Sequence, residues 1–211
     1  MTGGMGGISP HPRLDGNCEL TRQIIAILST TVNGMADAGN PYSGFLYLGL
    51  MVTSDGVAYV IEYNCRLGDP EAQVILPRVD GDFGKALVAF ATGDFSRARF
   101  PLRQENAFGF VVASQGYPGS ELATNGVING LVQIENNGGL VFQASTKIDA
   151  TGLLVNSGGR VLMPVRLHTD LAEARRLAFV DALTIQFPGA WFRKDIGAEL
   201  VEIPEENGTL V

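Results

Sequence analysis

Apolar positions along the chain switch between two periods. From about Glu19 to Ala38, Leu20, Ile24, Ile27, Leu28, Val32 and Met35 recur at helical spacing, and Gly39-Asn40 ends the run. This is an amphipathic helix whose stripe serves packing. Tyr42 to Val52 then reads as an apolar strand, Ser54-Asp55-Gly56 as a hairpin turn, and Val57 to Asn64 as the returning strand. The returning strand is apolar at nearly every position until Glu62, which predicts that both its faces are covered. Period 2 places Glu62, Asn64 and Arg66 on one side and Ile61, Tyr63 and Cys65 on the other. Gly68 frees the backbone to turn. Asp69 reads as an N-cap with Pro70 at the first helical position, opening a short helix to about Pro77. A second amphipathic helix spans Asp82 to about Thr92 and ends at Gly93.

The mixed stretch Asp94 to Asn106 reads as a domain boundary, giving domains over 1–103 and 104–205. Beyond it, Ala107–Ser114 is an apolar strand and Gly116-Tyr117-Pro118-Gly119 a tight turn. Short strands are expected around Gly130–Glu135, Leu140–Ser145 and Arg160–Leu167, separated by Asn136-Asn137-Gly138-Gly139 and Asn156-Ser157-Gly158-Gly159. Asp170 with Glu173 caps a helix running to about Gln186. The fold class is therefore α+β, with a small antiparallel sheet and one covering helix in the second half.

Charge narrows the chemistry. A net charge of −7, with three lysines and no basic run, excludes a nucleic-acid surface. No apolar run reaches the ~20 residues of a membrane span, and no signal-peptide pattern is present. Two cysteines make no disulfide scaffold and suit a reduced, cytoplasmic setting. An acidic chain that handles phosphates relies on local arginine, backbone amides and a metal.

Glu62 and Asn64 offer a carboxylate and an amide oxygen on one strand face, a donor set for a hard cation such as Mg²⁺; a hydrogen-bonded structural pair is the alternative. Arg66 can grip a carboxylate or phosphoryl oxygen through its planar fork. At the chain start, Gly3, Gly4, Met5 and Gly6 can turn successive N–H groups inward as an anion nest, against the alternative of a floppy start. His11 and His168 lack ligand companions and read as surface or satisfied residues. Cys65 reads as a small core residue and Trp191 as core. Arg193-Lys194 is either solvated charge or a phosphate grip.

Thr2-Gly-Gly-Met-Gly, Ser9-Pro, Gly44-Phe-Leu-Tyr-x-Gly-Leu-Met, Glu62-x-Asn-Cys-Arg-x-Gly-Asp-Pro-Glu and Gly116-Tyr-Pro-Gly together resemble the phosphoribosylamine–glycine ligase (glycinamide ribonucleotide synthetase) family of the ATP-grasp superfamily. Thr146-Lys147, Asn156 to Leu162 and Arg193 to Gly197 extend the resemblance almost to the C-terminus. It implies that residues 1–103 form the catalytic, metal-binding part of an ATP-grasp domain and 104–205 the family's C-terminal domain. It further implies ATP-dependent joining of glycine to 5-phosphoribosylamine through glycyl phosphate, giving glycinamide ribonucleotide, ADP and phosphate in purine synthesis. Under the resemblance, Glu62 and Asn64 are the Mg²⁺ or Mn²⁺ ligands. Arg66 holds the glycine carboxylate or the acyl phosphate, the Gly3–Gly6 amides line the pocket, and Asp69 contacts the sugar or amine end.

The family also carries an N-terminal domain and a smaller ATP-grasp lobe ahead of the opening glycines. The resemblance therefore covers the family's C-terminal half only. This is the pattern of a truncated gene model, a split-gene subunit whose partner chain carries the other lobes, or an excised fragment. The competing expectation is an inactive chain that only binds metal, phosphate or protein.

Overall fold

The computed structural model describes residues 3–14, 16, 18–94, 96 and 98–201; Thr2 of the opening motif and residues 202–205 of the expected second domain lie outside them. The chain divides into two units, one of Met1–Ser9 with Gln73–Val211, the other Pro10–Ala72. The architecture is α+β, with antiparallel sheets and few helices.

In the larger unit, the apolar run after Asn106 forms two short strands, β4 (Asn106–Phe110) and β5 (Val112–Ser114), not one. Both lie along β9 (Arg160–His168), and a register shift falls between Val112 and Ala113. The opening glycines add β1 (Gly6–Ser9) outside β4, and β6 (Leu140–Gln143) takes the other edge of β9. β10 (Ala190–Trp191) pairs with β5, and β7 (Thr146–Ile148) with β8 (Leu154–Asn156) makes a separate ribbon.

Alternation sorts this sheet into two apolar layers. One joins Phe108, Phe110, Val112 and Val161 to Ala174, Ala178 and Ala182 of α5 (Leu171–Thr184), small residues that let the helix approach closely. The other gathers Met5, Val74, Ala107, Val111, Ala113, Met163 and Val165. Each fully buried large side chain contributes about 1.5–3 kcal/mol. Asp170 caps α5 by accepting from the Glu173 N–H at 2.8 Å. Arg166 of β9 meets Asp181 of α5 in a two-point ion pair with both side chains at or below 10% exposure.

The strand expected over Gly130–Glu135 is instead a helix, α4 (Leu131–Asn136), of which only Ile134 is buried. A short apolar run has no decisive period, and the turn at Gly138, whose N–H bonds back to Glu135, closes it as a helical turn. In the same unit, the helix expected from Asp82 is α3 (Phe83–Ala91), and Asp82 caps it by accepting from Lys85 N at 2.9 Å.

The smaller unit holds α1 (Cys18–Asp37) and a hairpin of β2 (Tyr47–Val52) and β3 (Ala58–Asn64). Leu20, Gln23, Ile24, Ile27, Leu28, Thr31 and Val32 of α1 are its less exposed residues, and Thr31 bonds the Tyr63 hydroxyl of β3 at 2.9 Å. The strand expected from Tyr42 begins five residues later. Coverage of both faces of β3 is overturned: Tyr59 is 58% and Ile61 62% exposed. A two-stranded sheet with a helix on one side cannot cover both faces.

Asp69 is no N-cap. Asp69 to Glu71 form a turn through a cis Asp69-Pro70 bond, and α2 (Ala72–Ile75) starts only after it, followed by a 3₁₀ turn at Leu76–Arg78. Among the described residues, no helix is long and apolar enough to cross a membrane.

Candidate active site at the end of strand β3

Cross-strand register decides which side chains share the face of interest. Tyr47 lies opposite Asn64, Gly49 opposite Glu62 and Met51 opposite Tyr59. Alternate residues of β2 share a face, so Tyr47, Gly49, Met51, Tyr59, Glu62 and Asn64 all lie on one side of the hairpin. The register slips by one residue at Ile61, a bulge that brings Tyr59 to the Glu62 side although simple alternation would place it with Tyr63.

Glu62 and Asn64 are brought together as the pattern requires: Asn64 Nδ2 donates to Glu62 Oε1 at 3.1 Å. Glu62 is exposed and Asn64 half-buried. Space for Glu62 exists because its neighbour is glycine. A Cβ on Gly49 would lie 2.8 Å from Glu62 Cγ.

The strand ends at Asn64, so Arg66 sits in the following bend, exposed, and donates from Nη1 to the Leu67 carbonyl at 2.8 Å. Asp69 is exposed in the turn beyond. Two further residues join the cluster that pattern reading left out. Tyr47 donates from its hydroxyl to Glu71 Oε1 at 3.2 Å. Burial raises the Tyr47 phenol, the Glu71 carboxylate raises it further, Glu62 adds to this and Arg66 opposes it. Tyr47 thus stays a hydrogen-bond donor that fixes Glu71. Gly68 is buried, and a Cβ there would meet Glu71 Oε2 at 2.3 Å and the Tyr47 ring at 2.7 Å. Only glycine admits that arrangement.

The opening glycines belong to the larger unit and are ordered as more than a loop. Gly6 starts β1 opposite Phe110, and the Met5 side chain, 2% exposed, lies in the second apolar layer while its carbonyl accepts from Val111 N at 2.9 Å. Only the backbone of Met5 is left to face a ligand. Gly3 is exposed, and Gly4 adopts φ 66°, the left-handed conformation that a nest requires at alternate residues. Arg160 donates to the Gly4 carbonyl at 3.3 Å.

Cys65 is exposed, which corrects its reading as a core residue; past the strand end it has no sheet face to fill. Loss of solvent and then the Cys65 thiol raise the Tyr42 phenol. Trp191 is half-buried and donates from its indole to the Ser114 carbonyl at 2.9 Å. Arg193 pairs with Asp195, and its guanidinium holds that carboxylate below its usual range. His11 and His168 each accept a backbone N–H locally, from Arg13 and Asp170. Among the described residues, no three His, Cys, Asp or Glu side chains converge as a metal cluster, so the oxygen pair at β3 stands on its amide as much as its carboxylate.

Comparison with known proteins gives this geometry a family. The model of the phosphoribosylglycinamide synthetase ATP-grasp (A) domain matches residues 1–72, and that of the phosphoribosylglycinamide synthetase C domain matches residues 107–199. A phosphoribosylamine–glycine ligase of Yersinia pestis is 40% identical over 196 residues, covering 93% of this chain and 45% of the relative. That of Escherichia coli O157:H7 is 40% identical over 201 residues, covering 95% and 46%. The crystal structure of the Thermotoga maritima phosphoribosylamine–glycine ligase superposes with a TM-score of 0.75 at 31% identity, over 90% of this chain and 46% of that one. The biotin carboxylase subunit of pyruvate carboxylase, at 17% identity and a TM-score of 0.57, shares the fold alone. The chain spans a little under half the length of the curated relatives it matches. With two models of one family matched in order along it, the chain belongs to the phosphoribosylglycinamide synthetase family, whose ATP-grasp domain supplies the strand end carrying Glu62 and Asn64.

Proposed function

We propose that the chain contributes the metal-binding strand end of an ATP-dependent ligase that joins glycine to 5-phosphoribosylamine, yielding glycinamide ribonucleotide, ADP and phosphate. The observation that carries this reading is the 3.1 Å approach of Asn64 to Glu62 on an exposed strand face. A half-turn of the Asn64 amide sets Oδ1 beside Oε1, so these two residues would offer adjacent oxygen donors to Mg²⁺ or Mn²⁺. Held by Glu62 and Asn64, a divalent ion would supply charge neutralisation for the transferring phosphoryl group.

The chain's own residues supply the rest. Arg66 has further N–H donors beyond its bond to Leu67 and would hold the glycine carboxylate or the acyl phosphate. Tyr47 keeps Glu71 oriented beside it. Asp69 would contact the sugar or amine end, and the amides of Gly3, Gly4, Met5 and Gly6 would receive an anionic oxygen. The division into domains 1–103 and 104–205 belongs to the same proposal, supported by family matches that stop at 72 and resume at 107. So does a cytoplasmic location.

The second reading, a chain without turnover of its own, is favoured by its coverage of less than half of each relative. The two readings combine: activity requires the family's remaining half, supplied as a separate chain or joined to this one. The test is glycine-dependent ADP formation from ATP and phosphoribosylamine. The 211-residue chain alone should give none, its assembly with the remaining half should turn over, and Glu62→Ala in that assembly should abolish turnover. Unchanged activity in Glu62→Ala would remove Glu62 from the site.

A further inference from the structure

Two motifs of the sequence carry no role in the ligase reading: Gly116-Tyr117-Pro118-Gly119 and Asn156-Ser157-Gly158-Gly159-Arg160. The larger unit packs them together. Asn156, fully buried, donates to the Ser114 hydroxyl at 2.7 Å and to the Ala123 carbonyl at 2.6 Å, and its Oδ1 accepts from Gly126 N at 2.7 Å. Ser114 in turn holds the two glycines. Its hydroxyl donates to the Gly158 carbonyl at 2.7 Å and its N–H to the Gly159 carbonyl at 2.8 Å. A Cβ on Gly159 would meet the Tyr117 ring at 2.3 Å, and one on Gly158 the Ser145 hydroxyl at 2.7 Å, so neither position has room for a side chain. The Ser145 N–H bonds the Arg160 carbonyl at 3.1 Å. Each link fixes the backbone at the first residue of β9, and from there Arg160 Nη1 reaches the Gly4 carbonyl at 3.3 Å. Both ends of that bond lie in the larger unit.

We propose that Arg160 is a positioning residue: it clamps the Gly4 carbonyl and so aims the Met5 N–H at a phosphoryl oxygen of the substrate. The inference rests on the ligase reading, in which the opening glycines receive an anionic oxygen, and names the residue that orients them for it. The Gly4–Met5 peptide is trans, so its C=O and its N–H point in opposite directions. Drawing the carbonyl onto Arg160 turns the N–H away from it. The next carbonyl is anchored as well. Met5 O accepts from Val111 N at 2.9 Å, at the residue between β4 and β5, and the Met5 side chain is buried with Val74, Ala107 and Met163. That leaves the Gly4–Met5 plane as the part of the loop that can still rotate. Gly4, at φ 66°, and exposed Gly3 have no Cβ to hinder the rotation. Unclamped, the plane can present its oxygen to the anion, and two negative ends repel. The guanidinium has a second effect: its charge polarises the peptide it binds and strengthens the opposite N–H as a donor.

The experiment titrates inorganic phosphate into the full 211-residue chain and follows the Met5 and Gly6 amides by ¹H–¹⁵N NMR. In the parent both amides should move downfield and saturate. Arg160→Ala should move the Met5 amide of the free chain and raise the phosphate midpoint at least about fivefold, less than an ideal charged hydrogen bond would give because the contact is long. Methylguanidinium added to Arg160→Ala, and Arg160→Lys by itself, should each recover part of the loss, a rescue that a merely structural arginine would not show. Circular dichroism checks folding, and Arg160→Gln carries the comparison should the alanine variant unfold. Ribose 5-phosphate and ADP, titrated separately, tell a sugar phosphate from a nucleotide as the source of the oxygen, and a response to either supports the proposal. Parent amides indifferent to all three probes, or a variant midpoint within about twofold of the parent, would overturn it. So would a raised midpoint with an unmoved Met5 amide, which makes Arg160 a direct contact. Activity separates the two readings. Loop amides that behave as described, in a chain whose assembly with the family's remaining half makes no ADP, leave the clamp standing and remove the ligase reading. An active assembly whose kcat/KM is unchanged by Arg160→Ala does the reverse.

Discussion

Gly49→Ala tests the site without touching a proposed ligand. The added Cβ would lie 2.8 Å from Glu62 Cγ and 3.4 Å from the Glu62 carbonyl oxygen. Carbon atoms in contact prefer about 3.5–4.0 Å, so Glu62 must retreat by most of an ångström. It can, because it is exposed. A rotamer shift costs about 0.5–1.5 kcal/mol, and alanine in place of glycine within a strand recovers about 0.5–1 kcal/mol. Net stability should change by less than about 1 kcal/mol. Function should not be spared. The shift separates Glu62 Oε1 from Asn64, and a displacement of about 1 Å at a reacting centre costs on the order of a hundredfold in rate.

The assay pairs urea unfolding of the 211-residue chain with kcat/KM of the ligase assembled from it and the remaining half. Gly56→Ala is the matched control: its φ of 84° strains any side chain, but open space surrounds its Cβ position, so it should lose stability and keep activity. If Gly49→Ala keeps activity within about twofold, the crowding of Glu62 has no bearing on catalysis and the metal reading of that carboxylate fails.

Further outcomes follow from the same structure. Asp181→Ala strips the partner from Arg166, which is 8% exposed, and should destabilise the larger unit by about 3–5 kcal/mol in urea unfolding; a loss below about 1 kcal/mol would show that the pair does not hold α5 to β9. Tyr47→Phe removes the bond to Glu71 and should cost about 0.5–1 kcal/mol near neutral pH. Because the Tyr47 pKa is raised, its contribution is present below 10.0 and lost as pH rises through the higher folded value, so the two proteins should converge in strong alkali. Asp82 behaves in the opposite sense. The backbone N–H and then the side chain of Lys85 hold its carboxyl below 3.8, so its capping of α3 is present above that pH and lost as pH falls through the lowered value; the melting difference between Asp82→Ala and the parent should shrink in acid.

The sequence made the long periodic elements and their caps legible, and the short ones much less so. The stripe of α1 from Leu20 to Val32, the Asp170 cap and the hairpin turn rest on local chemistry and appear where the pattern puts them, whereas Met35 at the end of the stripe is exposed. Gly130–Glu135 failed because Leu131, Val132 and Ile134 fit a strand and a helical turn equally well, and a tertiary choice decided between them. β1, β7, β8 and β10 are two to four residues long, below what alternation can reveal. At the site, adjacency of Glu62 and Asn64 follows from period 2 alone. Tyr47 and Glu71 were hidden because 24 residues separate them, and only the hairpin register together with the turn at Gly68 closes that distance. A signal existed in Gly68 itself, since a glycine before Asp-Pro-Glu can mark close approach as well as a turn.

The bulge at Ile61 connects the fold to its chemistry. Without it, Tyr59 would project toward α1 with Tyr63; with it, Met51 and Tyr59 extend as an apolar floor from the oxygen pair along the same face. A bulge also twists its strand and interrupts regular pairing, a local cost that a bare two-stranded hairpin has little to offset. The arrangement makes physical sense when something else covers that floor. Under the proposed ligase reading, the Glu62–Asn64 oxygen pair would meet an anionic ligand through a bound cation, with Arg66 and the apolar floor beside it. Under the proposed ligase reading, nucleotide binding at the Glu62–Asn64 pair and covering of this floor should therefore be linked, each ordering the surface that the other needs.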